Sequence, residues 1–594
     1  MIRRVTLLII LTQIISYASE KELVALALKK KLYNQARWKA LLHYNNNFNI
    51  KNNKFIHTDN LKNELIYTIK SFYNTKSKYK NSNEHPQCLF PARFLFIKKS
   101  LNVNKTEFPD VNCTAFNTYL QKAPANQISL IYASEKVNNP SSMMGHTFFK
   151  LSGMNNSKRY VEHAVSFYTI INTINPLKLA YQNIYAGMQG IFSLRPYQET
   201  LLKYLNEEDR NIWEYNLKLT NYERKLMYYH LWELKDIKMH YYLTSYNCST
   251  VVYYILSLAN PKIYNEKEIW MTPLETVKIL YKYNLIKNAK LIPSKNWYIK
   301  MLEEQVSSKD EYTIYNIVNT NKDISKLKFN TYTSKLLYAY AEYEYSKKQL
   351  SQQKLTEIES HIPKKLLDKT IDISHYKSPQ KLPNERQLSV GYKNINKTNF
   401  MNLTFLPASH LITDNNREYF GESELKIGYL SLLLNKETIK LDDFTLYGMK
   451  SYTPYDLLTK NLSYQFELAI KKDYTLKSKY KDTFKFDGGI GFDFKVTYDI
   501  NIFTILNAGI GYNNEDNTHL FLNPEVGFMI YEIFNMKSVV IYQPLYKKSK
   551  QIYNQYMIMH TIFLNKFSKI SLDYKYLTGR INQKNFSISA SWLF

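Results

Sequence analysis

The sequence predicts a multidomain α+β protein that ends in an antiparallel β-barrel of about twelve strands. Three observations predict it. Apolar residues recur at helical spacing over the first hundred or so residues of the mature chain, strand-like runs begin near 126, and strict period-two alternation takes over after 387. The expected division is 1–18 signal peptide, 19–125 helical region, 126–300 mixed α+β domain, 301–386 helical connector and 387–594 barrel. At 594 residues the chain is too long for one ordinary core, which suits this division.

The start of the chain gives the address. Basic "MIRR" precedes the apolar run "VTLLIILTQII", and small residues follow at Ser16 and Ala18. That order is a secretory signal, cut near Ala18. No later segment supplies the roughly twenty apolar residues of a membrane-spanning helix. The mature chain is therefore expected in the periplasm or the outer membrane.

Composition narrows the partners. Lys+Arg of 79 against Asp+Glu of 51 gives a net charge of +28. Basic surface attracts phosphate. Yet the charge is spread along the chain, without zinc-finger spacing, a Gly-rich phosphate loop or an RNA-binding signature. Nucleic acid is not expected as a partner, and an anionic membrane surface suits scattered lysines better.

The helical region opens with "KELVALALKKKLYNQARWKALLHY", in which Trp38, Leu41 and Leu42 mark an inward stripe. From 126 the reading changes. "QISLIYAS", "GHTFFKLSG", "RYVEHAVSFYT" and "NIWEYNLKL" read as strands, with "MNNSK" as a turn. Thr220 and Glu223 have capping-box spacing ahead of a helix, and another helix begins at or near Cys248. Residues 301–386 return to largely polar helix, interrupted at "IPKKL".

The barrel reading rests on alternation. In "FKFDGGIGFDFKV", even positions Phe484 to Val496 are apolar or Gly, and odd positions carry Lys, Asp or Gly. Phe586, Ile588, Ala590, Trp592 and Phe594 alternate with serines in the last strand. A soluble sandwich also alternates. Strand length, the lack of intervening helices, aromatic strand ends and the terminal Phe594 favour a membrane barrel.

Three cysteines carry the chemical question. Export makes Cys88 and Cys113, 25 positions apart, natural disulfide partners. Cys248, in "YLTSYNCSTVVYYIL", then has no mate. A thiol at a helix start faces unpaired N–H groups that favour the thiolate and could stabilise an oxyanion. Asn247 and Ser249 flank that position. The best base is His146, behind Gly145 at a strand start, and His163 on the next strand is a candidate third member that hairpin pairing could bring alongside. Asn247 and Glu162 are rivals for that role. Taken alone, a cysteine before an apolar helix such as Cys248 is more often core than catalytic. His230 and His240 read as helix-face and surface residues without a role. No metal-ligand spacing appears, and neither a metal nor a cofactor is expected.

The stretches "SMMGHTFFKL", "HAVSFY", "NPLKLAYQNIYAGMQGIFSLRPYQE", "RNIWEYNLKLT", "HLWELKD" and "YYLTSYNCST" resemble a bacterial family. It is known from the periplasmic N-terminal domain of Lnb, the lipoprotein N-acyltransferase. "ARWKALLHY" and "HPQCLFPARF" resemble the helical region that precedes this domain in relatives, and the C-terminal third resembles, loosely, a barrel extension. Relatives more often have Phe at the place of Met144. The resemblance implies a permuted papain-like fold in which the histidine precedes the cysteine, with Cys248 as nucleophile and His146 as base. It also implies acyl transfer from a phospholipid to a lipoprotein amine. A cell-envelope cysteine hydrolase, whether amidase, peptidase or lipase, is one alternative. A non-catalytic, porin-like barrel is the other.

Overall fold

The computed structural model describes residues 19–104, 107–136, 143–171, 173, 175–268, 270–320, 322–373, 376–497, 499–548 and 550–594. The expected signal peptide lies outside them. The chain divides into two compact units. The first takes residues up to Ile128, Phe149–Pro196 and Lys218–Lys267. The second takes Ser129–Phe148, Tyr197–Leu217 and Glu268–Phe594.

In the first unit, helices α1 (Glu20–Lys29), α2 (Ala36–Leu41), α3 (Leu61–Phe72), α4 (Pro91–Leu101) and α5 (Thr114–Lys122) build the N-terminal part. Ser19 caps α1 with Glu22 in a capping box. Trp38, Leu41 and Leu42 are fully buried, with Trp38 stacked on Phe96. Cys88 and Cys113 are joined by a disulfide with their Cα atoms 5.2 Å apart. Helices α6 (Asn221–Leu234) and α7 (Cys248–Ala259) complete the unit. The capping box at Thr220 and Glu223 opens α6.

The strands of the central region are β1 (Gln127–Ala133), β2 (His146–Met154), β3 (Tyr160–Thr169), β4 (Met188–Pro196), β5 (Ile212–Leu217), β6 (Met239–Tyr241) and β7 (Ile286–Ile292). The ladders β1–β5, β2–β3, β3–β4, β4–β6 and β5–β7 are antiparallel. The first unit holds the order β6-β4-β3-β2, and the second holds β1-β5-β7. β2 begins in the second unit and ends in the first. The turn "NNSK" uses a left-handed Lys158 to close β2 on β3. Strands β4, β6 and β7 have no clear period in sequence; their pairing partners define them.

The second unit carries helices α8 (Pro273–Lys282), α9 (Lys295–Glu303), α10 (Ser308–Thr320), α11 (Thr331–Ser346) and α12 (Gln352–His361). The long polar run expected as one helix breaks between α11 and α12, where Lys348 is left-handed. The barrel follows. Its strands are β8 (Gln387–Ile395), β9 (Thr398–Leu406), β10 (Glu422–Leu434), β11 (Ile439–Tyr452), β12 (Ser463–Tyr474), β13 (Tyr480–Thr497) and β14 (Ile500–Asn513). β15 is split into Asn517–Leu522 and Glu525–Glu532; β16 (Met536–Lys547), β17 (Lys550–Asn565), β18 (Ser568–Gly579) and β19 (Gln583–Leu593) complete the ring. Pro524 sits at the break in β15, and a proline has no N–H for the ladder. Both halves pair with β14 and β16. β8 pairs with β9 and with β19, and β9 pairs with β10, so the ring closes.

Closure leaves no free edge, as a hydrocarbon layer requires. The two faces divide as the alternation predicts. Phe484, Phe486, Ile490, Phe492 and Phe494 are exposed on the outside, whereas Asp487 and Asp493 are buried inside. Paired charges fill the interior: Lys450 meets Glu525 at 2.8 Å, Lys537 meets Glu422 at 2.6 Å, and Lys547 meets Asp473 at 3.3 Å. An interior cavity of about 400 Å³ remains, lined by Lys426, Lys471, Lys485, Asp443, Glu467 and Asp487 among others. An apolar exterior over a polar lumen is the arrangement of a membrane barrel and the inverse of a soluble one. Helices of this unit dock on the barrel through polar contacts: Arg386 bonds Glu275 at 2.6 Å, Asn296 bonds Asn461 at 3.0 Å, and Lys300 pairs with Asp456.

Candidate active site

Cys248 is the first residue of α7 and is buried, with no disulfide. Local chemistry sets the helix start there. Asn247 is the N-cap, and its Oδ1 accepts from Thr250 N at 2.9 Å. Its Nδ2 donates to Leu243 O at 2.8 Å. Tyr242 and Tyr246 pair across the same turn, with N–H···O bonds of 3.0 and 3.1 Å in the two directions. The loop ahead of the thiol is thus closed by backbone and cap together. The sulfur faces the positive end of a twelve-residue helix that is buried along its whole length. Ser249 Oγ, fully buried, lies 3.8 Å from the sulfur.

One neighbour escaped the sequence reading. The Tyr241 hydroxyl hydrogen-bonds Cys248, and burial followed by the adjacent sulfur pushes that phenol well above its ordinary range. The only signal was the crowd of tyrosines before the cysteine.

A second omission is larger. His230, expected as a helix-face residue without a role, lies on the face of α6 that packs on α4 and α7, and it is fully buried. Its Nδ1 lies 2.7 Å from Glu233 Oε2, and its Nε2 lies 3.0 Å from His43 Nε2. His43 Nδ1 in turn lies 2.6 Å from the Tyr246 hydroxyl. A carboxylate only accepts, so with both imidazoles neutral the protons fall in one order. His230 donates to Glu233, His43 donates to His230, and Tyr246 donates to His43. Glu233 Oε1 also accepts from the N–H groups of Ala92 and Arg93, at 2.7 and 2.9 Å. Burial first, and His230 second, hold the His43 pKa well below its usual value. The chain of bonds runs from the N-terminal helices to Tyr246, two residues before the thiol. His240 is exposed, as expected.

His146 opens β2 in the second unit, behind a left-handed Gly145. A Cβ on Gly145 would lie 3.0 Å from both Ala133 O and the Tyr132 ring. The imidazole stacks near Phe148 and Tyr204, with ring centroids 5.8 and 6.4 Å away. Burial, then the charges of Arg210 and Lys203, push its pKa down to about 3. Arg210 is fixed by the carbonyls of Ala133 and Ser134 and by Glu208 at 2.8 Å. His146 is therefore neutral at physiological pH, the form a base needs.

The candidate third members fare differently. β3 register sets His163 opposite Leu151, five residues beyond His146 along β2. Pairing therefore does not bring the two histidines side by side, a correction to the hairpin expectation. His163 Nδ1 is buried without a hydrogen-bond partner. Asn247 is committed to capping, and Glu162 pairs with Lys150 at 3.1 Å. No group of residues able to hold a metal occurs among the described residues.

Comparisons with known proteins assign three stretches. Residues 115–283 match the Lnb N-terminal periplasmic domain family, and 30–100 and 377–594 match two domain families of unknown function. A search of curated proteins gives no match. Among solved structures, an outer membrane channel from Pseudomonas putida F1 has TM-score 0.25 and 10% identity, covering 38% of this chain and 100% of its own. The KdgM porin in complex with disordered oligogalacturonate has TM-score 0.22 and 9% identity, covering 35% and 99%. An anion-selective porin from Comamonas acidovorans has TM-score 0.19 and 9% identity, covering 35% and 98%. The periplasmic domain match and the outward apolar face of the closed barrel place the protein in the periplasm and outer membrane. Residues 115–283, the stretch that matches the model of the Lnb N-terminal periplasmic domain, contain both Cys248 and His146.

Proposed function

We propose that this protein is an outer-membrane-anchored cysteine acyltransferase, with Cys248 as nucleophile and His146 as base, in a permuted papain-like arrangement. The observation that carries the reading is the buried, unbridged thiol at the first position of α7, capped by Asn247 and bonded by Tyr241. In this reading the thiolate attacks an ester carbonyl of a phospholipid. The new C–S bond makes an oxyanion, which the first-turn N–H groups and Ser249 stabilise. The C–O bond then breaks, and the alcohol leaves with the proton that His146 took from the thiol. A lipoprotein α-amine attacks the thioester, an amide forms, and the proton of the amine returns to the sulfur. Water in place of the amine would make the enzyme a hydrolase.

A thiol-reactive, lipid-like probe tests the assignment. Labelling is expected at Cys248 and should vanish in Cys248→Ala and fall at least a hundredfold in His146→Ala, the scale of a lost general base. Equal labelling in His146→Ala would remove that residue from the mechanism. Lipid and lipoprotein mass spectrometry of a deletion strain identifies donor and acceptor.

A further inference from the structure

We infer that the barrel is a sealed anchor, closed to ions by a plug: residues 411–420, between β9 and β10, fill the mouth beside the docked helices. The inference goes beyond the proposed function and does not depend on it.

A loop that joins two barrel strands can lie over the rim in water or fold into the lumen. This one folds inward. Ser409 and His410 still pair with Lys426 and Leu425 of β10. Just beyond them, Ile412 is buried against Tyr452, Phe503, Ile505, Met529, Val539 and Ile541. Those residues belong to β11, β14, β15 and β16, and they face the lumen. Their chain neighbours Ile502, Leu506 and Phe528 are exposed on the outer face, and successive side chains of a strand point to opposite faces. Ile412 also borders the interior cavity of about 400 Å³. An apolar side chain that touches the inner face of four strands, none of them its own, stands inside the ring.

Polar bonds hold the segment there. The buried Asp414 carboxylate takes Lys569 of β18 and Gln387 of β8. The Asp414 carbonyl accepts from Lys537 Nζ of β16 at 3.1 Å, and the same ammonium pairs with Glu422 at 2.6 Å. In the ring, β16 stands across from β10. Asn416 N–H donates to the Tyr531 hydroxyl of β15 at 2.9 Å, and Asn416 Nδ2 donates to Ser423 O at 2.8 Å. Ahead of β8, Lys377 Nζ donates to the carbonyls of Arg417 and Tyr419, at 2.9 and 2.6 Å. Removing one partner of a buried ion pair strands the other charge, so these pairs oppose withdrawal of the segment. The cavity beyond it is lined by charged side chains, which leaves the segment itself as the barrier to ions.

The test is conductance of the full chain in planar lipid bilayers. The wild-type chain should give no channel steps above the bare bilayer. A variant with residues 411–420 replaced by Gly-Ser-Gly-Ser should give steps. Steady conduction by the wild-type chain would overturn the seal. A shortened chain that keeps heat-modifiable migration and stays silent would overturn the plug as the barrier. Thiol labelling gives a second reading that does not require the shortened chain to fold. In a Cys248→Ala background, Ile412→Cys should react with a membrane-impermeant maleimide about tenfold or more slowly than Asn415→Cys, at an exposed position. Equal rates at the two positions would overturn the seated plug.

Discussion

His230→Ala tests the buried network that ends at Tyr246. The change removes two contacts, the 2.7 Å bond to Glu233 and the 3.0 Å bond to His43. A hydrogen bond to a charged group contributes about 1.5–3 kcal/mol, and a buried donor left without a partner costs about 1–3 kcal/mol. Glu233 keeps its two backbone donors, so its carboxylate is not stranded. The loss is about 3–6 kcal/mol. At a slope of about 3 kcal/mol/M, the urea midpoint of the first unit should fall by about 1–2 M. Tryptophan emission of the detergent-solubilised chain reads that transition, because Trp38 and Trp232 both lie in this unit. His240→Ala, at an exposed position, is the control and should move stability by no more than about 0.5 kcal/mol. If His230→Ala shifts the midpoint no further than His240→Ala, the network is not a structural element and the argument fails.

Other outcomes follow from the same coordinates. The His146 pKa is pushed down to about 3, so the native state resists a proton that the unfolded chain takes near its ordinary value. Stability should therefore fall as pH drops from about 6.5 toward 3, and His146→Gln should flatten that slope in paired melts at pH 7 and pH 4. Replacing Cys88 and Cys113 together by Ser opens a 25-residue link and should cost about 3–4 kcal/mol, measured by thermal melting. Leu506, 59% exposed at mid-strand in β14, faces outward; Leu506→Lys should destabilise the barrel by about 2–4 kcal/mol, read as loss of heat-modifiable migration.

The sequence by itself determined the order of parts, the alternating barrel strands, the start of α7 and the candidate thiol. These depend on neighbours in the chain: a period of two, a capping residue before an apolar run, a glycine before a histidine. Only the tertiary structure decided which lumen charges meet, since alternation assigns a residue to a face but not to a partner. It also decided that His230 is interior, because a histidine and Glu233 among the apolar residues of α6 are buried only once α4 packs over them. The register of β3 on β2, which sets His163 opposite Leu151, is likewise fixed by packing on both faces of the sheet. Tyr241, Tyr246 and His43 meet around the cysteine loop through contacts that span up to 203 residues, a separation at which local patterns carry no information.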